Sequence, residues 1–600
     1  MKSDFFGSLK RRAIFYFIIT ISVTVLGFRL FQMQIVNQKE YETKSSDNSV
    51  KSIELDPLRG LFYDRNMNLL VSISPAFTLR VTPAYYDTSL NKLIETVIGA
   101  EFGFINIFLK QNRIYSKYLP LRLKRGIDFK VVAWIEENRE NLPGIDYVLE
   151  LYRNYPAGIN ASHSFGYTKE ISAEQLAKNK EHYKQGDFVG YNGIEKTYED
   201  KLRGKKGYEY ILVDSRRRDL GSFNFGSKDL PPVNGRSIVL TIDAETQIVA
   251  EEELKDKRGA IVAIDPSNGE ILAMVSAPDY DLNKFSFITP NEFISSLYND
   301  PARPLFNRAT MTINPPGSTF KMLAAIAALA LGIITPSYTI QCKGGFTYGR
   351  FFKCHGSHGT VNVIRAIEKS CNTFFYRLIY KIGMDRWKEY ALKFGFAQKT
   401  NIDIPEETAG FIPDESYYIN RYGDNWPKSI MASLGIGQGE VSVTPLQLAQ
   451  YTALIANNGS SVQPHLVRGI FDESQNNVDP LNFDPVSTGV DKSIIEIVKE
   501  GMYLVVNGKG TATHIRLPDI EVAGKTGTAQ NPHGEDHAWF VAFAPFENPK
   551  IALAVLVENV GFGGTHAAPI AKKIIETYLR GLDKNKENKL ESENKFAVKD

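Results

Sequence analysis

The sequence predicts an α/β (α+β) fold in which helices flank a central antiparallel sheet, with an elongated N-terminal pedestal domain and one N-terminal transmembrane helix. Strand patterns occur at both ends of the region that starts near residue 236, and helical patterns fill its middle. Strands at both ends with helices between them indicate one sheet whose first and last segments meet. The transmembrane helix is predicted from an uncharged run near the N-terminus.

That run, "AIFYFIITISVTVLGF", lies between Arg12 and Arg29 and follows the basic residues 10–12. A spanning helix needs about 20 residues, which the run reaches if Arg29 snorkels to the interface. We therefore predict a membrane anchor at 13–36. The basic cluster predicts a cytoplasmic N-terminus at 1–12 and an outside location for the rest. A cleaved signal peptide is the alternative, but no small-x-small site follows the run.

Composition indicates a globular chain of more than one domain, since 43% of the 600 residues are hydrophobic. Lysine and arginine number 70 against 68 acidic residues, a formal charge of +2. This balance gives no global basic field, so we expect no nucleic-acid partner.

The region between the membrane and residue 236 is predicted as one domain, 37–235. It begins with a polar linker at 37–54. The segment "LDPLRGLFYDRNMNLLVSIS" (55–74) then predicts two short strands about a polar turn at Asp64–Asn68. Periodicity defines little of the remainder, which mixes helical patterns with glycine-rich loops.

The catalytic region is predicted at 236–582. It opens with strands in "RSIVLTID" and with a hairpin, "GAIVAIDPSNGEILAMVSAP", that turns at Asp265–Gly269. Helices are predicted within 319–332 and 444–459, then strands in "IEVAGKTGTAQ", "AWFVAFAP" and "IALAVLVENV", and a closing helix in "APIAKKIIETYLRGL". The charged tail, 583–600, is predicted to be disordered.

The candidate nucleophile is Ser318 in "NPPGSTFK", with Lys321 three residues later. On a helix this spacing places both side chains on one face, where an amine can accept the hydroxyl proton. A serine at a helix N-terminus also lies near free N–H groups that stabilise an oxyanion. An isolated S-x-x-K is more often an N-cap and a surface lysine, and Ser89–Lys92 has the same spacing without further support.

Two further motifs follow in order, Ser370-Cys371-Asn372 and Lys525-Thr526-Gly527-Thr528. The order S-x-x-K, S-x-N, K-T-G is the signature of penicillin-binding proteins and serine β-lactamases. The chain also resembles class B penicillin-binding proteins in "DPLRGLFYDRNMNLL", "GYNGIEKTYEDKLRGKKGYE", "PLFNRATMTINPPGSTFK" and "GIGQGEVSVTPLQLA". "LFNRAT" and the segment before "SCNTFFY" make it most similar to the elongation-type penicillin-binding protein 2 group.

The resemblance implies a D,D-transpeptidase that cross-links peptidoglycan stem peptides through an acyl-enzyme on Ser318, with D,D-carboxypeptidase activity as a side reaction. It implies Lys321 as the base, with Lys525 as the second cation that lowers its pKa. Ser370 would relay a proton to the leaving group, and Asn372 would hold the donor amide.

The resemblance further implies that Thr526 and Thr528 bind the terminal carboxylate, with Gly527 between them. The N–H groups of Ser318 and Thr528 would form the oxyanion hole. β-Lactams would acylate Ser318, and no organic cofactor is expected.

Two other functions share these motifs. A β-lactamase or a β-lactam sensor is the main alternative, which the long segment between membrane and catalytic region disfavours. A catalytically idle scaffold is disfavoured because every motif residue is present.

No glycan-polymerising motif was found between 37 and 235. The resemblance therefore implies a polytopic rod-shape-type glycosyltransferase and other elongation-complex proteins as partners. It places the chain in the bacterial cytoplasmic membrane, with its catalytic domain in the periplasm or another extracytoplasmic space.

The three cysteines leave two interpretations open. A disulfide between Cys342 and Cys354 would leave Cys371 as a small buried residue. Alternatively Cys342, Cys354, His358 and Cys371 form a structural zinc site, with His355 able to replace His358. The resemblance favours zinc, because the group carries a metal site between the same two motifs. Alternation in "SCN" would direct Cys371 away from Ser370 and Asn372.

Overall fold

The computed structural model describes residues 9–36, 50–113, 117–156, 158–179, 181–213, 219–286 and 289–597, and from residue 585 onward it describes the backbone alone. The start of the predicted cytoplasmic segment (1–8) and most of the predicted polar linker (37–49) lie outside the described residues. The chain has the mixed α/β architecture that the sequence predicts.

Helices and strands alternate irregularly before residue 241. The helices are α1 (Leu9–Phe31), α2 (Asn91–Val97), α3 (Phe104–Gln111), α4 (Phe129–Glu137), α5 (Ser162–Phe165), α6 (Ala173–Lys178), α7 (Gly193–Thr197) and α8 (Glu199–Leu202). The strands are β1 (Val50–Leu55), β2 (Phe62–Tyr63), β3 (Leu69–Val81), β4 (Leu121–Ile127), β5 (Ile145–Asn154), β6 (Thr168–Glu170), β7 (Phe188–Gly190), β8 (Gly207–Val213), β9 (Asp219–Ser222) and β10 (Ser237–Leu240).

Helices dominate the middle of the remaining chain. They are α9 (Ala244–Glu253), α10 (Asn291–Asn299), α11 (Arg308–Met311), α12 (Lys321–Ala330), α13 (Val363–Glu368), α14 (Asn372–Ile382), α15 (Met384–Lys393), α16 (Glu415–Tyr422), α17 (Ile430–Leu434), α18 (Pro445–Ala456), α19 (Lys492–Asn507), α20 (Gly563–His566) and α21 (Ala568–Ala597).

Strands of this part frame those helices. They are β11 (Gly259–Ile264), β12 (Ile271–Ala277), β13 (Ile340–Cys342), β14 (Gly345–Tyr348), β15 (Arg350–Lys353), β16 (Gly359–Val361), β17 (Ser460–Val462), β18 (Val467–Asp472), β19 (Asn477–Pro480), β20 (Pro485–Ser487), β21 (Ala523–Ala529), β22 (His537–Ala544) and β23 (Ile551–Val557).

Helix α1 and the π-helical turn after it, Gln32–Val36, provide the apolar helix that the sequence predicts. The segment Arg11–Val36 is 26 residues long and apolar enough to cross a membrane. No residue of its most apolar 18-residue stretch is buried against the rest of the protein. This exposure suits a helix whose side chains face lipid.

The chain divides into two compact units. The smaller one contains the described residues up to Leu58 and those of 203–235, and it holds the three-stranded sheet β1-β8-β9. Its two segments are joined where the Leu58 N–H donates to Asn234 Oδ1 at 3.0 Å and the Gly235 N–H donates to the Leu58 carbonyl at 2.8 Å.

The larger unit contains the described residues of 59–202 and 236–597 and is built on two sheets. The first has seven strands in the order β19-β18-β10-β2-β3-β4, with β5 also paired to β3. Strand β10 runs parallel to β2, Ile238 opposite Phe62. The predicted turn at Asp64–Asn68 is confirmed, since the Asp64 N–H donates to the Asn68 carbonyl at 2.8 Å.

The second sheet has five antiparallel strands in the order β12-β11-β23-β22-β21. The prediction that the first and last segments meet is confirmed, because Gly259 of β11 pairs with Val557 of β23. The hairpin at Asp265–Gly269 is also confirmed, with Gly269 at φ +78°. Every residue of β11, β12 and β23 is buried, so helices cover this sheet on both faces.

The closing helix is longer than the sequence predicts. Helix α21 continues to Ala597, so the backbone is helical through most of the segment predicted as a disordered tail. No proline or glycine follows Gly581, and lysine and glutamate are good helix formers. The scarcity of apolar residues in 583–600 limits packing against the rest of the protein but does not oppose a helical backbone.

A buried ion-pair cluster joins distant parts of the larger unit. Glu195, whose side chain is fully buried, accepts from Arg59 Nε at 2.7 Å and from Arg153 Nε at 2.6 Å. Arg59 also bonds Glu199 at 2.5 Å, and Arg153 bonds the Gly60 carbonyl at 2.7 Å. The carboxylate therefore joins the segment just before β2 and strand β5 to α7.

We expect Glu195→Ala to destabilise the larger unit by about 3–5 kcal/mol, because it leaves two buried guanidinium groups without their shared counter-charge. Urea unfolding of the detergent-solubilised protein measures this. Glu174→Ala removes an exposed carboxylate from α6 and should change the free energy of unfolding by less than about 0.5 kcal/mol. Equal effects of the two variants would contradict the prediction.

Candidate active site

Ser318 lies in a 3₁₀ turn, Gly317–Phe320, that leads directly into α12. The turn is pressed against β21: a Cβ on Gly317 would lie 2.6 Å from the Thr528 carbonyl oxygen, and Gly317 has φ +58°. The Gly317 N–H donates to the Gly437 carbonyl at 2.8 Å. Glycine is needed here, because any side chain would push the Ser318 turn away from the strand.

Lys321 is fully buried at the first position of α12. Its Nζ donates to the Ser370 carbonyl at 2.8 Å, to Ser370 Oγ at 3.0 Å and to Asn372 Oδ1 at 2.6 Å. Within the described part of the chain, no hydrogen bond links Nζ to Ser318. Burial lowers the pKa of Lys321 to about 7, although the nearby Cys354 and Cys371 oppose the shift.

Lys525 approaches the same hydroxyl from β21. Its Nζ donates to Ser370 Oγ at 2.9 Å and to the Thr526 carbonyl at 2.9 Å. The side chain is fully buried, and burial together with the charge of Lys321 lowers the pKa of Lys525 well below its usual value. Ser370 Oγ therefore lies between two amines that cannot easily both be protonated.

The S-x-N motif occupies the junction between α13 and α14. Ser370 has φ +52°, a left-handed conformation unusual for serine, and Cys371 precedes α14 as its N-cap residue. The predicted alternation is confirmed: Ser370 and Asn372 contact Lys321, while the thiol of Cys371 lies with the other cysteines. One backbone kink thus serves two separate clusters of side chains.

Strand β21 forms one edge of the five-stranded sheet and carries Thr526, Gly527 and Thr528. The two threonines are half-buried, whereas Lys525 and Gly527 are buried. A Cβ on Gly527 would lie 2.8 Å from Thr319 Cγ2 and 2.9 Å from the Pro316 carbonyl. The glycine therefore lets β21 pack against the turn that carries Ser318. The residues predicted from the three motifs thus lie together around Ser370 and this turn.

Two residues beside β21 were missed by the sequence analysis. Thr511 Oγ1 lies 2.7 Å from Thr526 Oγ1, and Gln438 Nε2 donates to the Thr528 carbonyl at 2.9 Å. Thr511 lies in a loop with no pattern that singles it out. Gln438 lies in the segment "GIGQGEVSVTPLQLA", which was recognised by resemblance without a role for any residue.

The three cysteines are free and buried, so no disulfide joins Cys342 to Cys354. Their sulfurs and a nitrogen of His358 all lie within 4.8 Å of one another. His358 Nδ1 is 3.6 Å from the sulfurs of both Cys342 and Cys354. A tetrahedral ion with bonds of about 2.0–2.3 Å would separate its ligands by about 3.5–3.8 Å.

This Cys₃His cluster can therefore hold a metal ion. A hydrogen bond between Cys354 and Cys371 lowers the pKa of the Cys354 thiol and raises that of Cys371, so the pair yields one thiolate readily. His355, the alternative ligand considered from the sequence, is outside the cluster.

Two family models match the chain. The penicillin binding protein transpeptidase domain matches residues 259–576, and the penicillin-binding protein dimerisation domain matches residues 54–240. The chain is 35% identical to the peptidoglycan D,D-transpeptidase MrdA of Haemophilus influenzae, over 95% of this chain and 91% of that protein.

Solved structures show the same likeness. The complex between penicillin-binding protein 2 and MreC from Helicobacter pylori matches with a TM-score of 0.74 and 29% identity, over 88% of this chain and 99% of that chain. A structure described as showing the coordination of polymerization and crosslinking by a peptidoglycan synthase complex matches with a TM-score of 0.71 and 28% identity, over 95% and 98%.

The cluster geometry predicts which histidine binds the metal. We expect the purified protein to contain about one equivalent of a divalent ion, and His358→Ala to lose most of it, because one of four ligands is removed. His355→Ala is the matched control and should retain the ion. Inductively coupled plasma mass spectrometry measures both. Metal loss in His355→Ala alone would contradict this ligand set.

Proposed function

This chain belongs to the penicillin-binding proteins, in the class B group of peptidoglycan D,D-transpeptidases that includes MrdA, and from that premise we propose that Ser318 is the residue it acylates. The protein is a peptidoglycan transpeptidase of the elongation type. The observation that supports Ser318 most strongly is the hydroxyl of Ser370 held between two buried amines, one of which, Lys321, follows Ser318 by three residues.

In the proposed acylation, Ser318 Oγ attacks the carbonyl carbon of the penultimate D-alanine of a stem peptide. The hydroxyl proton passes to neutral Lys321 and through Ser370 to the departing amine. The peptide C–N bond breaks, terminal D-alanine leaves, and the rest of the peptide remains as an ester on Ser318.

In the second step, the amine of another stem peptide attacks this ester. A new C–N bond forms, the C–Oγ bond breaks, and the proton lost by the amine returns to Ser318 Oγ. Water in place of the amine gives the D,D-carboxypeptidase side reaction.

Strand β21 would hold the donor peptide. The half-buried hydroxyls of Thr526 and Thr528 suit the terminal carboxylate, and Thr511 adds a third hydroxyl beside Thr526. We assign the oxyanion hole to the N–H groups of Ser318 and Thr528. The close approach of Gly317 to Thr528 supports this assignment, because it brings both N–H groups to the same place.

We propose that the ion in the Cys₃His cluster is a structural zinc ion. Three thiols and one imidazole form a donor set typical of structural zinc, and no ligand position is left for catalysis. Cys342, Cys354 and His358 would then be tied to Cys371, between Ser370 and Asn372. The metal would supply rigidity at this kink rather than chemistry.

For the membrane arrangement, we propose a single span with a cytoplasmic N-terminus, the pedestal domain at 37–235 and the transpeptidase domain at 236–582 outside. The basic residues 10–12 at the start of the apolar helix and the extents of the two family matches support it. We further propose elongation-complex partners, namely an MreC-like protein and a polytopic rod-shape-type glycosyltransferase. The likenesses to a complex with MreC and to a peptidoglycan synthase complex support these partners.

The nucleophile assignment predicts that Ser318→Ala abolishes labelling by a fluorescent penicillin, because no other hydroxyl occupies its place at the turn. Gel fluorescence of the full-length protein and mapping of the labelled peptide measure this. Ser89→Ala, in the other S-x-x-K sequence, should label like the unmodified protein. Rapid turnover of penicillin without a stable adduct would instead indicate a β-lactamase.

The base assignment predicts a pH dependence. Lys321 accepts a proton only when neutral, and burial lowers its pKa to about 7. We therefore expect the acylation rate to rise about tenfold per pH unit below pH 7 and to level off above it. Stopped-flow measurement with a chromogenic cephalosporin tests this. Lys321→Arg should be slow at every pH, because arginine stays protonated. A flat profile in the unmodified protein would contradict the assignment.

A further inference from the structure

The hairpin formed by β14 and β15, Gly345–Lys353, presents aromatic side chains to solvent beside the candidate active site. Tyr348 is 44% exposed and Phe351 is 64% exposed. The turn is made by Gly349 at φ +68°. Exposed aromatic side chains grouped beside a site are typical of interaction surfaces.

The hairpin is held rigidly against α14. Phe352 is buried and packs on Tyr376 with ring centres 5.4 Å apart, and Tyr348 stacks on Tyr380 at 4.3 Å. The carbonyl of Lys353 accepts from Asn372 Nδ2 at 3.5 Å and from the Tyr376 hydroxyl at 3.3 Å. Asn372 Oδ1 also accepts from Lys321 Nζ, so the Asn372 side chain links the base of the hairpin directly to the Lys321 amine.

This surface is strongly basic. Residues 301–367 contain no aspartate or glutamate, and Glu368 that follows is buried and bonded to Arg365. The hairpin exposes Arg350 and Lys353, and the adjoining face of α14 exposes Arg377 and Lys381. None of these four pairs with a carboxylate of the described residues. We call the hairpin and these two α14 residues the hairpin patch.

The patch and the strand assigned to the donor contact different residues of the S-x-N motif. Lys525 of β21 donates to Ser370 Oγ, whereas the hairpin carbonyl of Lys353 accepts from Asn372 Nδ2. Once the donor is esterified to Ser318 it still occupies β21. The second peptide therefore has to approach Ser318 away from β21, and the hairpin meets the site at Asn372.

We propose that the hairpin patch binds the acceptor stem peptide, an anionic peptide whose carboxylates pair with Arg350 and Arg377. Arg350 lies over the ring of Phe352 and Arg377 lies over the ring of Phe346. Since Phe346 and Phe352 are paired across the hairpin, both guanidinium groups belong to the same hairpin face. The proposal rests on the transpeptidase function stated above. Guanidinium groups bind carboxylates in paired hydrogen bonds, and the exposed part of the Tyr348 ring, on that face, covers the aliphatic parts of the peptide. The patch thus raises the local concentration of the attacking amine relative to water.

The test compares two acceptors in the full-length protein with one synthetic D-Ala-D-Ala donor. The first is a soluble disaccharide tetrapeptide, and the second is D-alaninamide, which has no carboxylate. We expect Arg350→Glu combined with Arg377→Glu to raise the KM of the tetrapeptide acceptor about tenfold, since two exposed charge pairs become repulsive. Transfer to D-alaninamide should change less than about twofold.

Lys550→Glu is the matched control, because Lys550 is exposed in the turn between β22 and β23, at the end of β22 away from Thr528. It should leave the KM of both acceptors unchanged. Arg350→Ala combined with Arg377→Ala gives a second variant without charge reversal and should raise the KM of the tetrapeptide acceptor severalfold.

Three results would overturn the proposal. One is an unchanged KM for the tetrapeptide in both patch variants. Another is an equal loss with both acceptors and in penicillin acylation, which indicates a structural role. The third is unchanged transfer to both acceptors together with loss of binding to phosphatidylglycerol vesicles in the patch variants, which would show that the patch binds lipid headgroups. Failure of penicillin to label Ser318 in the unmodified protein would instead refute the proposed function.

Discussion

Two lysine side chains buried around one serine hydroxyl are the interaction on which the site depends. Lys321 and Lys525 both donate to Ser370 Oγ, and both are fully buried. Two ammonium groups at this separation without a carboxylate would repel strongly in a medium of low dielectric constant. The fold resolves the conflict by holding at least one amine neutral at physiological pH, and a neutral amine is what the proposed activation of Ser318 requires.

The rest of the larger unit keeps these groups in place. Helix α12 is buried almost throughout, which fixes Lys321, and the pairing of β21 with β22 fixes Lys525. Glycines at 317 and 527 let the turn and the strand approach closely. An ion held by the Cys₃His cluster, as proposed above, would restrain the Ser370–Asn372 kink through Cys371. Each element that supplies one reacting group is therefore anchored by packing that extends away from the cleft.

The sequence predicted much of this arrangement because the motifs and hairpins are local. The turn at Asp265–Gly269 and the alternation across Ser370, Cys371 and Asn372 follow from residue spacing alone. Spacing left a disulfide and a metal cluster both open for the cysteines, and only the family resemblance favoured the cluster. The contacts of Thr511 and Gln438 with β21 could not be predicted, since each depends on where a loop is placed by distant strands. Likewise, no local pattern reveals that β10 pairs in parallel with β2, or that Glu195 joins Arg59 to Arg153.

The pairing of β11 with β23 has a consequence for the order of folding. Gly259 meets Val557, so β11 remains unpaired on one side until nearly the whole chain is available. Contacts this distant in sequence form slowly, because the intervening chain must be ordered first. During synthesis from the N-terminus, the turn that carries Ser318 is therefore made long before the strand that carries Lys525. No site with both lysines exists until that strand is made, and an interrupted chain exposes sheet edges rather than a partly assembled site.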